Sequence, residues 1–356
     1  MCHARGVLDT IVVGAGAMGS ATAWQLARRG RSVALIEQFG PGHDRGSSHG
    51  ATRIFRVAYR DPTYVRLAVQ ALAEWRELEA DTGEQLLEQT GQLDHGAPAA
   101  IDEIAGHLAS AGFRAERFSP EEAQERWPGM RFDRAVVYSG DGGRVFADRT
   151  VAALQRRARE LGVDVAFDEP VEAIVALDSG VEVRTARRTL RAHTVVVAAG
   201  PWARQVTPPS IELPELTVTV ETPVHFAPSD PAARWPSFLH HLDDGASALE
   251  FGAYGLESPD EGVKVGVDHA PEIDTVVRYV ERWHPGLVPQ PLSWTECRFT
   301  STPDEHFVLE RHGPVVVCSP CSGHGFKFTP AIGALAADLS DGLPPRYRFG
   351  TRPEVS

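Results

Sequence analysis

The chain has 356 residues, too many for one small core and few enough for two interleaved domains. Its 42% hydrophobic and 23% charged content is that of a soluble globular enzyme, and four cysteines are too few for a disulfide scaffold at this length. A net charge of −13 excludes nucleic acid and anionic membrane as partners, because no basic patch can dominate that field; local arginine and lysine would have to capture any carboxylate substrate.

Thr10-Ile11-Val12-Val13 is a β-branched run closed by glycine, the pattern of a buried parallel strand. A helix is expected from Met18 to Arg29, stopped by Gly30, and Ser32 to Ile36 is a second strand that ends on Glu37. In the turn Gly14-Ala15-Gly16-Ala17-Met18-Gly19, Gly14 permits a tight bend, Gly16 admits a pyrophosphate, and Gly19 lets helix and strand approach. Glu37 falls about 20 residues on, where an acid accepts ribose hydroxyls. Strand, turn, helix and acid together identify a dinucleotide site, without separating FAD from NAD. The same glycine spacing explains the apolar stretch 10–27 better than a signal peptide does. No apolar run reaches the roughly 20 residues that span a bilayer, and Pro353-Glu354-Val355-Ser356 is no peroxisomal address, so the cytoplasm is expected.

The loop from Gly46 to Arg56 brings Ser47, Ser48, His49 and Thr52 together with Arg53 and Arg56, three apart around apolar Ile54 and Phe55. Hydroxyls, glycines and two arginines can crowd a flavin ring and a substrate anion; a merely solvated basic loop would not carry the two apolar residues between its arginines. This segment resembles the monomeric sarcosine oxidase and N-methyl-amino-acid oxidase family of D-amino-acid-oxidase-type flavoproteins. The resemblance implies FAD, held by Gly14, Gly16, Met18, Gly19, Glu37, Ser47, Ser48, His49, Thr52 and Arg53.

Asp61-Pro62 opens an amphipathic helix whose apolar stripe is Tyr64, Leu67, Ala68, Ala71, Trp75 and Leu78. Ser119-Pro120-Glu121-Glu122 is a capping box with proline at the first helical position, and Trp127-Pro128-Gly129 ends that helix. The turn Asp141-Gly142-Gly143-Arg144 leads toward a helix over 151–161, and short strands follow between Val163 and Val175. By the resemblance, Val171 lines the adenine side, and the buried strand 194–202 returns to the dinucleotide domain with Gly200 and Trp202 at the cofactor.

The chemistry gathers near the C-terminal end. Thr295-Glu296-Cys297-Arg298-Phe299-Thr300, followed by Asp304-Glu305-His306, is similar to the segment where this family attaches flavin covalently to a cysteine. A thiolate there needs a nearby positive field, which Arg298 or His49 could supply. Gly323-His324-Gly325-Phe326-Lys327 matches a family turn near the flavin's pyrimidine edge, so Gly323, Gly325 and Phe326 join the cofactor set and Lys327 joins Arg56 in holding a substrate carboxylate. Gly262-Val263-Lys264-Val265-Gly266 is an alternating strand, and the resemblance makes Lys264 the cation that activates dioxygen. His269 stands one position off the family's histidine, as either a modulator of amine protonation or a loop residue. Phe251 and Phe299 replace pocket tyrosines of sarcosine oxidases, which implies an amine larger or more apolar than sarcosine. Cys318-Ser319-Pro320-Cys321 lacks a second pair at metal spacing and is expected to fill space beside the flavin; His240, His241, Asp243 and Asp244 read as a polar loop, and no metal is expected.

The expected fold is α/β: a Rossmann-like FAD-binding domain (1–82, 146–212, 300–356) interleaved with a mixed-sheet α+β substrate domain (83–145, 213–299). The resemblance implies a monomer that oxidises the C–N bond of a secondary or cyclic amino acid and passes electrons to O2. Lys264, Arg53, Arg56, Lys327 and His269 are its candidate catalytic residues. A nicotinamide dehydrogenase, a 2-hydroxy-acid oxidase and a non-catalytic flavin-binding protein remain the alternatives.

Overall fold

A computed structural model describes residues 6–242, 252–268, 270 and 272–350. At its centre Leu8–Val13 pairs in parallel with Val33–Ile36 on one side and Thr189–Val197 on the other. Asp164–Ala166 extends the parallel set beyond Val33–Ile36, and Val315–Ser319 beyond Thr189–Val197. Both faces are covered. Val12, Leu35, Val196 and Val316 pack toward the helices Ala17–Arg28, Pro62–Thr82, Ala147–Glu160 and Thr329–Ser340. Ile11, Val13, Val195 and Val197 point the other way, onto Ile174, Val181 and Val183 of an antiparallel meander. Burial on both sides is why these strands read as continuous apolar runs. Helices Ala17–Arg28 and Thr329–Ser340 touch so closely that a Cβ on Gly333 would lie 2.6 Å from the Ala21 carbonyl carbon.

A second eight-stranded sheet runs in the order Leu287–Trp294, Val224–Pro228, Gly262–Val267, Ala253–Ser258, Ser237–His241, Gln92–Gly96, Ala135–Ser139, Glu116–Phe118. It is mixed, because Ser237–His241 and Gln92–Gly96 pair in parallel while its other neighbours are antiparallel. Its apolar core joins Leu93, Phe226, Phe238 and Val265 to Val276 and Val280 of helix Ile273–Trp283. A three-stranded sheet (Thr52–Phe55, Gly143–Phe146, Leu87–Glu88) and the pair Thr217–Glu221 with Cys297–Ser301 complete the strands. No described helix is long and apolar enough to cross a membrane.

The helix Pro62–Thr82 buries the whole predicted stripe and closes on Gly83 at φ 70°. Ser119 and Glu122 form the reciprocal capping box of Pro120–Arg126. Three expectations shift. The helix expected over 151–161 spans Ala147–Glu160 and is preceded by strand Gly143–Phe146, and the strand expected from residue 194 begins at Thr189 to pair with the meander. The third concerns His240 and His241, which are not loop residues. They end the strand Ser237–His241, hydrogen-bonded on both sides and 2% and 5% exposed; Asp243 and Asp244 lie outside the described residues.

That strand carries a buried imidazole cluster. His240 stacks on His95 at 4.0 Å and its Nδ1 meets the Tyr279 hydroxyl at 3.0 Å, while His284 packs against Phe238 and Tyr279. His241 Nε2 lies 2.9 Å from Asp94 Oδ1. Burial holds His240 and His284 down to about 3; repulsion from His241, Arg134 and Arg282 adds to it at His240, and repulsion from His240 adds to it at His284. The unfolded chain takes up these protons below about pH 6.5 and the folded chain does not, so stability is present above that pH and is lost as pH falls. The expected loss is about 2 kcal/mol per histidine by about pH 5. His284→Phe should shrink the fall in urea midpoint between about pH 7.5 and pH 5; an unchanged fall would refute this role.

Candidate active site

A cavity of about 780 Å³ runs from the glycine turn after Leu8–Val13 to one face of the second sheet. At the nucleotide end Gly14 has φ +99°, and a Cβ there would lie 2.4 Å from Ala198 O, so only glycine fits between the two parallel strands. A Cβ on Gly19 would lie 1.8 Å from Gly14 O. Helix Ala17–Arg28 begins at Gly16 with no side-chain cap of its own, and Ala17 N donates to Ser48 Oγ at 3.0 Å. Glu37 is 5% exposed, and its carboxylate accepts from Ala15 N at 2.7 Å and Phe39 N at 3.0 Å. Met18, Val171, Gly200 and Trp202 line the same end, with the Trp202 ring edge-on to Phe39. Gly19 lies behind the wall as a packing residue.

The other end is set by strand register. Cross-strand partners share a face, so the pairs His225–Lys264, Leu256–Lys264 and Leu239–Tyr254 put four of these side chains, Leu239, Tyr254, Leu256 and Lys264, on the cavity wall. Gly266 pairs with Tyr254 and makes room for it, since a Cβ there would lie 2.4 Å from the Tyr254 ring. Burial first, and then any negative charge on Cys297, push the Tyr254 hydroxyl well above its ordinary value, so it stays protonated. Lys264 is 6% exposed and donates to Thr52 O at 2.8 Å; burial first, and the Arg53 guanidinium second, bring its ammonium down to about 7.

Cys297, on strand Cys297–Ser301, is buried and lines the cavity. The cation beside it is neither of those expected. Arg298 is exposed, and what it offers this region is its carbonyl, which accepts from the Ser47 hydroxyl. His49 is held below its usual range by burial and by Arg53, so it is neutral near pH 7. Arg53 supplies the charge instead: its Nη2 lies 3.8 Å from Cys297 Sγ and donates to His49 O at 2.6 Å, and its Nη1 donates to Thr52 O at 2.8 Å. Alternation along Cys297–Ser301 explains the swap, because adjacent strand residues face opposite ways.

Arg56 and Lys327 meet deeper in the cavity, 4% and 6% exposed. The Arg56 guanidinium lies over the Tyr59 ring at 3.9 Å, and Lys327 Nζ donates to His324 O at 2.7 Å. Burial, then Arg56, pushes the Lys327 ammonium well below its ordinary value. His324 is itself kept neutral by burial, with Tyr59 hydroxyl at 3.4 Å from Nδ1 and Glu305 O at 3.2 Å from Nε2. Phe326 lies beneath Arg53, and Phe299 packs on the Gly323 turn, where a Cβ would meet its ring at 3.2 Å. Gly325 also lines the cavity. Cys318 and Cys321 are free thiols on its wall; burial pushes Cys318 up to about 12, and Cys321 Sγ accepts from Thr300 N at 3.2 Å. Phe251 and His269 lie outside the described residues.

Sequence reasoning missed Tyr254, Leu256, Leu239, Tyr59 and His324. The alternation of strand Ala253–Ser258 against the G-x-K-x-G strand could have found the first two. A second overlooked signal is composition: lysine occurs only at 264 and 327 among 35 basic residues, and both lysines line this cavity.

Residues 9–339 match the FAD dependent oxidoreductase family. The chain is 33% identical to the peroxisomal sarcosine oxidase of Mus musculus, over 95% of this chain and 93% of that protein. It is also 33% identical to the monomeric sarcosine oxidase of Streptomyces avermitilis, over 93% of each. Among solved structures, NikD, an unusual amino acid oxidase essential for nikkomycin biosynthesis, superposes with a TM-score of 0.83 at 26% identity, covering 97% of this chain and 96% of NikD. The chain belongs to the FAD dependent oxidoreductase family, and it is an FAD-dependent amine oxidase.

The residues present fit FAD. Gly16 gives the helix start at the nucleotide end no side-chain cap, and His49 Nε2 and Ser319 Oγ on the cavity wall are buried with no hydrogen-bond partner among the described residues. Gly19→Ala should therefore cost about 1–3 kcal/mol through the Gly14 clash and strip flavin from the purified protein. A variant with full flavin absorbance and an unchanged melting temperature would contradict that geometry.

Proposed function

We propose that this monomeric flavoenzyme oxidises the C–N bond of a secondary or cyclic amino acid to an imine, reduces O2 to hydrogen peroxide, and carries FAD covalently on Cys297. The observation that carries the reading is the convergence of Arg56 and Lys327, two buried cations, in one cavity of an acidic chain. An anion between them would offset both the burial and the repulsion that push the Lys327 ammonium down, and a planar guanidinium with a compact ammonium suits a carboxylate. The likeness to sarcosine oxidases supports an amine as the rest of that substrate.

FAD would supply a two-electron acceptor in reach of the substrate. The chain's own residues bind, orient and compensate charge. Arg56 and Lys327 fix the carboxylate; Leu256 and Phe299, with Leu239, exclude water around the remaining chain of the substrate. The amine gives up two electrons and two protons to become an imine, and O2 takes up the same number to become hydrogen peroxide. Lys264 would offer an ammonium to charge growing on dioxygen, and the Arg53 guanidinium would offer a fixed charge where a reduced flavin is negative and where Cys297 must ionise. Phe299, without a hydroxyl, favours an N-methyl amino acid with a side chain, or a proline- or pipecolate-like ring, over sarcosine.

Acid precipitation should leave flavin in the pellet for the wild type and release it for Cys297→Ser; release from both would end the covalent reading. Lys327→Met should lower kcat/KM for the best amino acid about 10- to 100-fold, mostly through KM, because a charge-assisted hydrogen bond is worth about 1.5–3 kcal/mol. An unchanged KM would remove Lys327 from the carboxylate site. Peroxide release from 2-hydroxy acids but from no N-methyl or cyclic amino acid would overturn the substrate class.

A further inference from the structure

Lys264 receives its support from a direction that neither the carboxylate clamp nor the cofactor explains. Its ammonium donates to Thr52 O at 2.8 Å, and Thr52 is fully buried. The Thr52 hydroxyl donates to Ser258 Oγ at 3.0 Å, and Ser258, 1% exposed, donates in turn to Glu261 Oε2 at 2.6 Å. That carboxylate oxygen also lies 3.5 Å from Nδ1 of buried His225, the cross-strand neighbour of Lys264. Glu261 sits in the turn just before the strand Gly262–Val267, with its side chain 41% exposed. A hydrogen-bonded series therefore runs from a solvent-touching carboxylate to the residue whose carbonyl receives the ammonium.

Several charged or titratable groups face Lys264. Arg53 on Thr52–Phe55, His49 in the preceding loop and His225 on the adjacent strand are unfavourable to its charge when they are protonated. Cys297 on its strand, Asp148 in the first turn of Ala147–Glu160, and Glu261 favour it. Tyr254 stands on the same sheet face as a neutral phenol. Of the two carboxylates in this set, Asp148 is committed to Gly50 N at 2.8 Å. Glu261 alone is tied to the Thr52 anchor.

We propose that Glu261 is the positioning residue of Lys264: through Ser258 it fixes Thr52 beneath the ammonium, and its carboxylate supplies a counter-charge to that buried group. The effect on turnover rests on the reading of Lys264 as the cation that meets dioxygen; the positioning itself does not. His225, between the two, stays neutral, because burial and Lys264 both hold it below its usual range. Glu261 thus has one buried cation to balance. Removing its charge while keeping an acceptor for Ser258 should lower the Lys264 titration and leave the fold intact, since the side chain reaches solvent.

The chain makes this directly measurable, because it contains only two lysines. Oxidised holoenzyme labelled with [ε-13C]lysine should give two side-chain resonances, assigned by loss of one in Lys264→Met. In the wild type the Lys264 signal should titrate near 7. Glu261→Gln should lower that midpoint by about one pH unit and leave the Lys327 signal unmoved. Ser258→Ala, which keeps the carboxylate but breaks its link to Thr52, should shift the Lys264 resonance position as well. A Lys264 midpoint unchanged in Glu261→Gln, or equal shifts at both lysines, would overturn the proposal. Stopped-flow reoxidation then separates the two readings. If Glu261→Gln moves both the Lys264 midpoint and the pH profile of reoxidation, with flavin reduction unchanged, both stand. If the midpoint moves and the profile does not, Glu261 still positions Lys264, but Lys264 does not serve dioxygen.

Discussion

Taking an ammonium or guanidinium out of water costs several kcal/mol unless fixed dipoles or counter-charges replace the hydration shell. This chain does so repeatedly around one cavity, and its architecture follows from that constraint. Lys264 and Lys327 are each met by a single backbone carbonyl, Thr52 O and His324 O, rather than by a carboxylate. A carbonyl holds an ammonium in place without neutralising it. Any positive charge on these lysines is therefore left facing the cavity, and in a body of net charge −13 it can act on an anion only at short range.

Holding such groups in register requires rigid elements, and the fold provides them from two directions. The mixed sheet presents Leu239, Tyr254, Leu256 and Lys264 on one face because their strands pair residue to residue. From the other direction come Arg53 on its short strand and the Gly323–Lys327 turn that leads into Thr329–Ser340. That helix is entirely buried against Ala17–Arg28, the helix whose first turn lines the nucleotide end. The two ends of the cavity are thus joined through close-packed helices.

The features legible in the sequence were those whose signal is local. The glycine turn with Glu37, the stripe from Tyr64 to Leu78 and the capping box at Ser119 each declare themselves within about 20 residues, by sterics or periodicity. What depended on pairing between distant segments was not legible. His240 and His241 look like a polar loop until the strands on both sides of them are in place. The choice of Arg53 over Arg298 beside Cys297 is decided by which face of a strand points inward, across 244 residues of sequence. Tyr59 and His324 each lie three residues from the cation they support, but the contact that joins the two, Tyr59 hydroxyl to His324 Nδ1, crosses 265 residues and no local pattern announces it.

The scarcity of lysine is the strongest statement the composition makes, and physical chemistry says why these two positions resist the exchange made everywhere else. Arginine is always charged, presents a broad planar fork, and cannot shed its proton when buried. Position 264 offers one backbone carbonyl, Thr52 O, which suits a compact ammonium better than the several donors of a guanidinium fork. Position 327 already faces a guanidinium, that of Arg56; a second permanent charge beside it would have no means of relief, whereas an ammonium can lose its proton until an anion arrives. If Lys327 holds a substrate carboxylate and Lys264 meets developing negative charge, as proposed, lysine at these sites couples charge to occupancy, because each ammonium is held below its ordinary value until a negative partner is present. In this chain arginine supplies the fixed charges, and the two lysines supply the ones that must respond.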